Sequence, residues 1–99
     1  MTPDTFFSSL SQKAPPKSAS PILSALWLDR QAQWEEAHEI VQDMDSLMAA
    51  AVHAYLHRKE GDIWNANYWY RTAKRKPFQG SLDEEWQALI DEECAHLSR

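Results

Sequence analysis

One cysteine is too few for an internal disulfide or a cysteine-rich zinc site, so Cys94 fits a reducing compartment. Only two glycines are present, Gly61 and Gly80, and nothing in the chain reads as a pair of strands. Positive charge is scarce: 10 Lys and Arg stand against 15 Asp and Glu, a formal net charge of −5. That balance argues against general affinity for nucleic acid, whose backbone selects clustered cations. The one basic run, Arg71, Lys74, Arg75 and Lys76, falls at an expected helix C-terminus, where cations offset the macrodipole. No apolar run approaches a membrane span, and the first ten residues lack the basic segment and sustained apolar stretch of a signal peptide. The expectation is a cytoplasmic protein with no nucleic-acid or membrane partner.

What the chain does hold is aromatic bulk. Its 99 residues make one domain at most, and Trp27, Trp34, Trp64, Trp69 and Trp86 supply much of the area a small core can bury. Residues 1–19 combine serines with Pro3, Pro15 and Pro16 and few aliphatics, a composition that predicts a flexible tail, although Phe6 and Phe7 offer docking points. The single helical domain is expected over residues 20–99.

Five helices are signalled within it. Ser20-Pro21 makes an N-cap followed by proline at the first helical position, starting helix one, which runs to about Arg30. Trp34, Ala37, His38 and Val41 recur at helical spacing in helix two, to about Gln42. Helix three runs from about Ser46 to Glu60. Gly61 suits the left-handed position after it, and Asp62 caps helix four, which continues to about Arg75 before Pro77. Ser81 and Glu84 match a capping box, so helix five extends from there to about His96.

Polar, aromatic and ionisable side chains concentrate between His53 and Ala73, far beyond what a helical hairpin needs for packing. At about 100° per residue, His53, His57 and Glu60 fall on one stripe of helix three, opposite Met48, Val52 and Tyr55, so the polar stripe is not expected to be the main buried face. On helix four, Asn65, Tyr68 and Thr72 form a second stripe, while Ala66, Trp69, Tyr70 and Ala73 form the packing face. If the two helices are antiparallel, both stripes border one groove. Two histidines at i and i+4 can share a metal ion, with Glu60 as an oxygen ligand and His38 or Asp62 completing the set. The spacing alone assigns no metal, no cofactor is expected, and the absence of Glu at position 54 removes the zinc-peptidase motif. Each residue also has a plain structural role: Arg58, Lys59 and Glu60 as a solvated helix end, Asp62 as a cap, Asn65 bonded to the turn, Tyr68 as an aromatic edge, and His38 packed on helix three.

A weak internal repeat appears at an offset of 29 residues, with Ala25 on Ala54, Ala32-Gln33 on Gly61-Asp62 and Ala37 on Ala66. The second hairpin resembles Sel1-like and tetratricopeptide repeats in Gly61-Asp62, Ala66, Trp69-Tyr70 and Ala73, although Asn65 stands where a basic residue is usual. More specifically, His-Ala-Tyr-Leu-His-Arg-Lys-Glu-Gly-Asp from His53, followed by Asn-Ala and Tyr-Trp-Tyr, is similar to a small bacterial family of helical proteins without an established activity. The fold expected is all-α, an array of antiparallel hairpins of that repeat type.

Helical repeats present a concave surface to partners. The leading expectation is therefore a binding module in which a small polar ligand or peptide contacts His38, His53, His57, Arg58, Glu60, Asp62, Asn65 and Tyr68, with Arg58 gripping a carboxylate or phosphate. One alternative is a small enzyme or metal-dependent protein using His53, His57 and Glu60. Another is an aromatic surface that serves as a homodimer interface.

Overall fold

Four helices begin at the side chains the sequence marks. The Ser20 hydroxyl accepts from the Leu23 amide (3.2 Å), Ser46 from Ala49 (3.1 Å) and the Asp62 carboxylate from Asn65 (3.2 Å). Ser81 and Glu84 close a reciprocal capping box at 2.9 and 3.0 Å. Each such cap satisfies amides a helix start leaves open and contributes about 1 kcal/mol. The structure, a computed structural model, describes residues 1–98, so Arg99 at the end of the expected domain lies outside the described residues. It is helical throughout, with no strand among the described residues: α1 Pro3–Ser8, α2 Pro21–Arg30, α3 Trp34–Gln42, α4 Leu47–Lys59, α5 Ile63–Thr72 and α6 Leu82–Leu97, plus a 3-10 turn at Ser9–Ser11. None of these helices is long and apolar enough to cross a membrane.

Three helices end alike. Ala32 (φ 62°), Gly61 (φ 87°) and Lys74 (φ 60°) take left-handed conformations, and the amide that follows each reaches back to a carbonyl of the last turn: Gln33 to Leu28 (2.9 Å), Asp62 to His57 (2.9 Å) and Arg75 to Tyr70 (3.0 Å). The third ending shortens α5. Expected to continue to about Arg75, it stops at Thr72 because Lys74 turns the chain before Pro77 can.

Helix α4 is the centre of the molecule. It packs against α2, α3, α5 and α6, and every residue from Ala49 to His57 is buried. Ala49, Ala50, Ala51 and Ala54 let neighbours approach closely on several sides, so no face remains for solvent. The polar stripe, not expected to be the main buried face, is split: His53 and His57 are buried because α3 and α5 cover the side of α4 that α2 and α6 do not, while Glu60 at its end is exposed.

Within the segment 1–19 expected to be a flexible tail, the offered docking points Phe6 and Phe7 are docked, and Ser9 and Leu10 are held with them. Phe6 is 0% exposed, and the rings of Phe6 and Phe7 each lie 5.9 Å from Trp86 on α6. The Trp27 indole N–H donates to the Ser9 carbonyl (3.1 Å) and the Gln31 amide to that of Leu10 (2.8 Å). Two aromatic anchors and two side-chain bonds offset the low aliphatic content that suggested disorder.

Two buried carboxylates lock the remaining helices together. Asp29 on α2 accepts from the Tyr55 hydroxyl (2.6 Å) and Lys59 (2.9 Å) of α4. Glu85 on α6 accepts from the Tyr70 hydroxyl of α5 (2.6 Å) and Arg58 of α4 (2.8 Å). Burial and the adjacent carboxylate push both tyrosine hydroxyls far above their ordinary range, so they stay protonated as donors.

Candidate functional site

Three imidazoles converge where α3, the C-terminal half of α4 and α5 meet. His53 and His57 stand one turn apart on α4, the i, i+4 spacing that stacks side chains on one face, and His38 projects from α3 against both, its ring centroid 4.6 and 5.2 Å from theirs. The Nε2 atoms of His38 and His53 are 2.9 Å apart, a hydrogen bond in which one ring donates and the other accepts. One nitrogen from each of His38, His53 and His57 lies within 4.8 Å of the other two.

Two indoles fix the rings. Trp34, four residues before His38, stacks on it at 4.9 Å and 10°, and its own N–H donates to the Leu56 carbonyl at 2.8 Å. Trp69 on α5 stacks on His53 at 3.9 Å and 16°. These contacts determine ring orientation in a way that aliphatic packing would not.

The electrostatics follow from burial. His53 is 4% exposed, and desolvation, then the neighbouring His38 and His57, bring its pKa down to about 4. His38 is half-buried and lowered by the same effects, with Glu35, Glu60 and Glu39 opposing them. Both rings are neutral at pH 7 and have lone pairs to offer. His57 Nδ1 meets Glu60 Oε1 at 2.6 Å, an N–H donated to the carboxylate. One atom stands apart. Among the described residues, His53 Nδ1 is the one buried side-chain nitrogen or oxygen with no hydrogen-bond partner.

The other candidates divide. Asp62 lies with His57 and Glu60 in a second group of mutually close ligand atoms, yet both its oxygens serve the start of α5, one accepting from the Asn65 amide and one from its side chain at 2.6 Å. Those bonds hold the Asp62 carboxyl below its usual range. Asn65 is thereby occupied with the turn. Arg58, expected to grip an anion, has its guanidinium engaged by Glu85 and the Gly80 carbonyl. Tyr68 is exposed and edge-on to Trp69 at 5.1 Å, outside the imidazole group. Lys59 does more than end a helix, since its ammonium reaches buried Asp29. A cleft of about 610 Å³ lies elsewhere, bordered by Ile22, Leu47, Met48 and Leu97, and contains none of the candidate residues.

Sequence reasoning missed the part Trp34 plays. Its spacing from His38 was visible, as was the hydrophobic pattern of α3, but the pattern marks a ring as apolar without saying that it lies flat on an imidazole. A comparison with known proteins found no matching family model, no matching curated protein and no matching solved structure.

Proposed function

We propose that this chain is a small binding protein whose ligand is held by the imidazoles of His38, His53 and His57. Two observations carry the reading: one nitrogen of each ring lies within 4.8 Å of the other two, and His53 Nδ1 is buried without a partner in an interior whose other polar side-chain atoms are satisfied among the described residues. A core histidine retained for packing alone would place both nitrogens on partners, since a buried polar atom left open costs about 1–3 kcal/mol. Catalysis by His57 with Glu60 would draw on the same pair, but His57 faces Trp34 at 5.8 Å rather than a cleft. Binding therefore accounts for more of the arrangement than proton transfer does.

A short tetratricopeptide-like or Sel1-like array belongs to the same reading. What supports it is the shared turn geometry of the two hairpins, in which Gln33 to Leu28 and Asp62 to His57 are equivalent bonds 29 residues apart. A cytoplasmic setting is supported by Cys94, which is buried and unpaired.

Imidazole-resolved NMR tests the proposal with zinc, inorganic phosphate and acetate as probes. At least one probe is expected to shift His38, His53 and His57 together while exposed His96 stays in place. Shifts confined to His96, or none with any probe, would remove the binding reading.

A second reading concerns self-association. Ile63 (54% exposed), Trp64 (75%) and Tyr68 (46%) are exposed on α5, Trp64 and Tyr68 one turn apart, and a homodimer would cover them. Light scattering on the native chain and a Trp64→Ser variant tests this: dimer that becomes monomer supports it, and monomer in both contradicts it.

A further inference from the structure

The ligand class follows from the donor set, and the inference rests on the binding reading above. We infer that His38, His53 and His57 bind one borderline divalent transition-metal ion of the zinc type, with Glu60 as the outer carboxylate that orients His57.

Geometry is the first support. Tetrahedral zinc with Zn–N bonds of about 2.0–2.1 Å sets neighbouring ligand nitrogens roughly 3.4 Å apart. The His38 and His53 nitrogens already stand at 2.9 Å, and no pair in the group exceeds 4.8 Å. Closing the set takes side-chain adjustments of about an ångström, within reach of small ring rotations.

Chemistry is the second. The inner group is all imidazole nitrogen, which suits zinc, copper(II) or nickel and gives calcium or magnesium no oxygen to bind. Glu60 does not have to enter the coordination sphere to matter. Its 2.6 Å bond to His57 Nδ1 is the carboxylate–histidine arrangement that fixes a ligand's tautomer and increases its basicity.

Preorganisation is the third. Trp34 and Trp69 hold His38 and His53 in place from outside the group, so little ring freedom is lost on binding. His38 is half-buried and the Glu60 side chain is 39% exposed, so the ion enters from their side and keeps a fourth position for water or another small donor.

Calorimetry with zinc on the full chain, cleared of metal by chelation, tests this, alongside Co²⁺ as an optical probe of tetrahedral coordination. One zinc per chain is expected, with the intense visible band of tetrahedral Co²⁺. Glu60→Gln, a change at an exposed side chain, should weaken zinc about ten- to hundredfold with an unaltered helical circular dichroism spectrum. His38→Asn should weaken it further, and His96→Asn should not matter. Should phosphate or acetate shift the three imidazoles while zinc and Co²⁺ leave them unmoved, the metal inference fails and the binding reading stands. Silence with all probes overturns both, and zinc binding that His96→Asn abolishes overturns the assignment.

Discussion

Trp69 lies flat on His53, ring centroids 3.9 Å apart and planes 16° from parallel. This contact couples the stability of the α4–α5 hairpin to the state of the imidazole group, because His53 is kept neutral where its burial and stacking are most complete. A charged ring there would stand in a dry setting beside His38 and His57, with no carboxylate within bonding distance of its own.

The first consequence is a pH dependence of folding. In the metal-free protein the His53 pKa is depressed to about 4, against about 6.5 unfolded. Between these values the unfolded chain binds the extra proton, so the contribution of His53 is complete above about pH 6.5 and is lost as pH falls towards 4. The full difference corresponds to roughly 3 kcal/mol. Urea unfolding at pH 7.5 and pH 5 should show the loss, and His53→Phe should flatten it. Equal midpoints at the two pH values would show that His53 is charged without penalty.

Removing one hydroxyl tests the carboxylate lock. Tyr55→Phe takes a 2.6 Å donor from Asp29, which is 1% exposed and keeps only Lys59. The expected loss is about 1–3 kcal/mol, the cost of leaving a buried acceptor under-satisfied. Chemical denaturation measures it. A change near zero would mean that Asp29 is solvated or protonated in the folded protein.

Phe6→Ala distinguishes a docked N-terminus from a loose one. A ring with no exposure, packed on Trp86, should be worth about 3–5 kcal/mol on truncation. A flexible tail would lose nothing measurable in the same thermal or denaturant melt.

The paired turns give opposite signs. Ala32 holds φ 62°, so Ala32→Gly should stabilise the fold by about 1 kcal/mol through relief of left-handed strain. Gly61 holds φ 87° with nothing within 4 Å of an added Cβ, so Gly61→Ala should destabilise by a similar amount from the backbone alone. Denaturation midpoints moving in the same direction would contradict the shared turn geometry.

Much of the helix layout was legible because caps and stop signals are local. Ser20-Pro21, Ser46, Asp62 and the Ser81–Glu84 box each act within a turn of chain, and the structure uses all of them. The parts that local signals leave open depend on distant partners. Phe6 is a tail residue until Trp86 is beside it, and Arg58 is a free cation until α6 brings Glu85 to it. The His53–His57 spacing was visible for the same local reason as the caps. That His38 would meet both rings, with Trp34 stacked on His38 and Trp69 on His53, depends on the packing of α3 and α5 against α4, which periodicity along one helix does not encode.

The most direct test of the imidazole group as a metal site is a crystal grown from metal-free protein with one equivalent of zinc, with diffraction data collected on both sides of the zinc absorption edge. The account predicts a single anomalous peak bounded by one nitrogen each of His38, His53 and His57 at about 2.0–2.1 Å, with Glu60 still on His57. Zinc located only on surface carboxylates or His96, with the His38–His53 hydrogen bond intact, would contradict it.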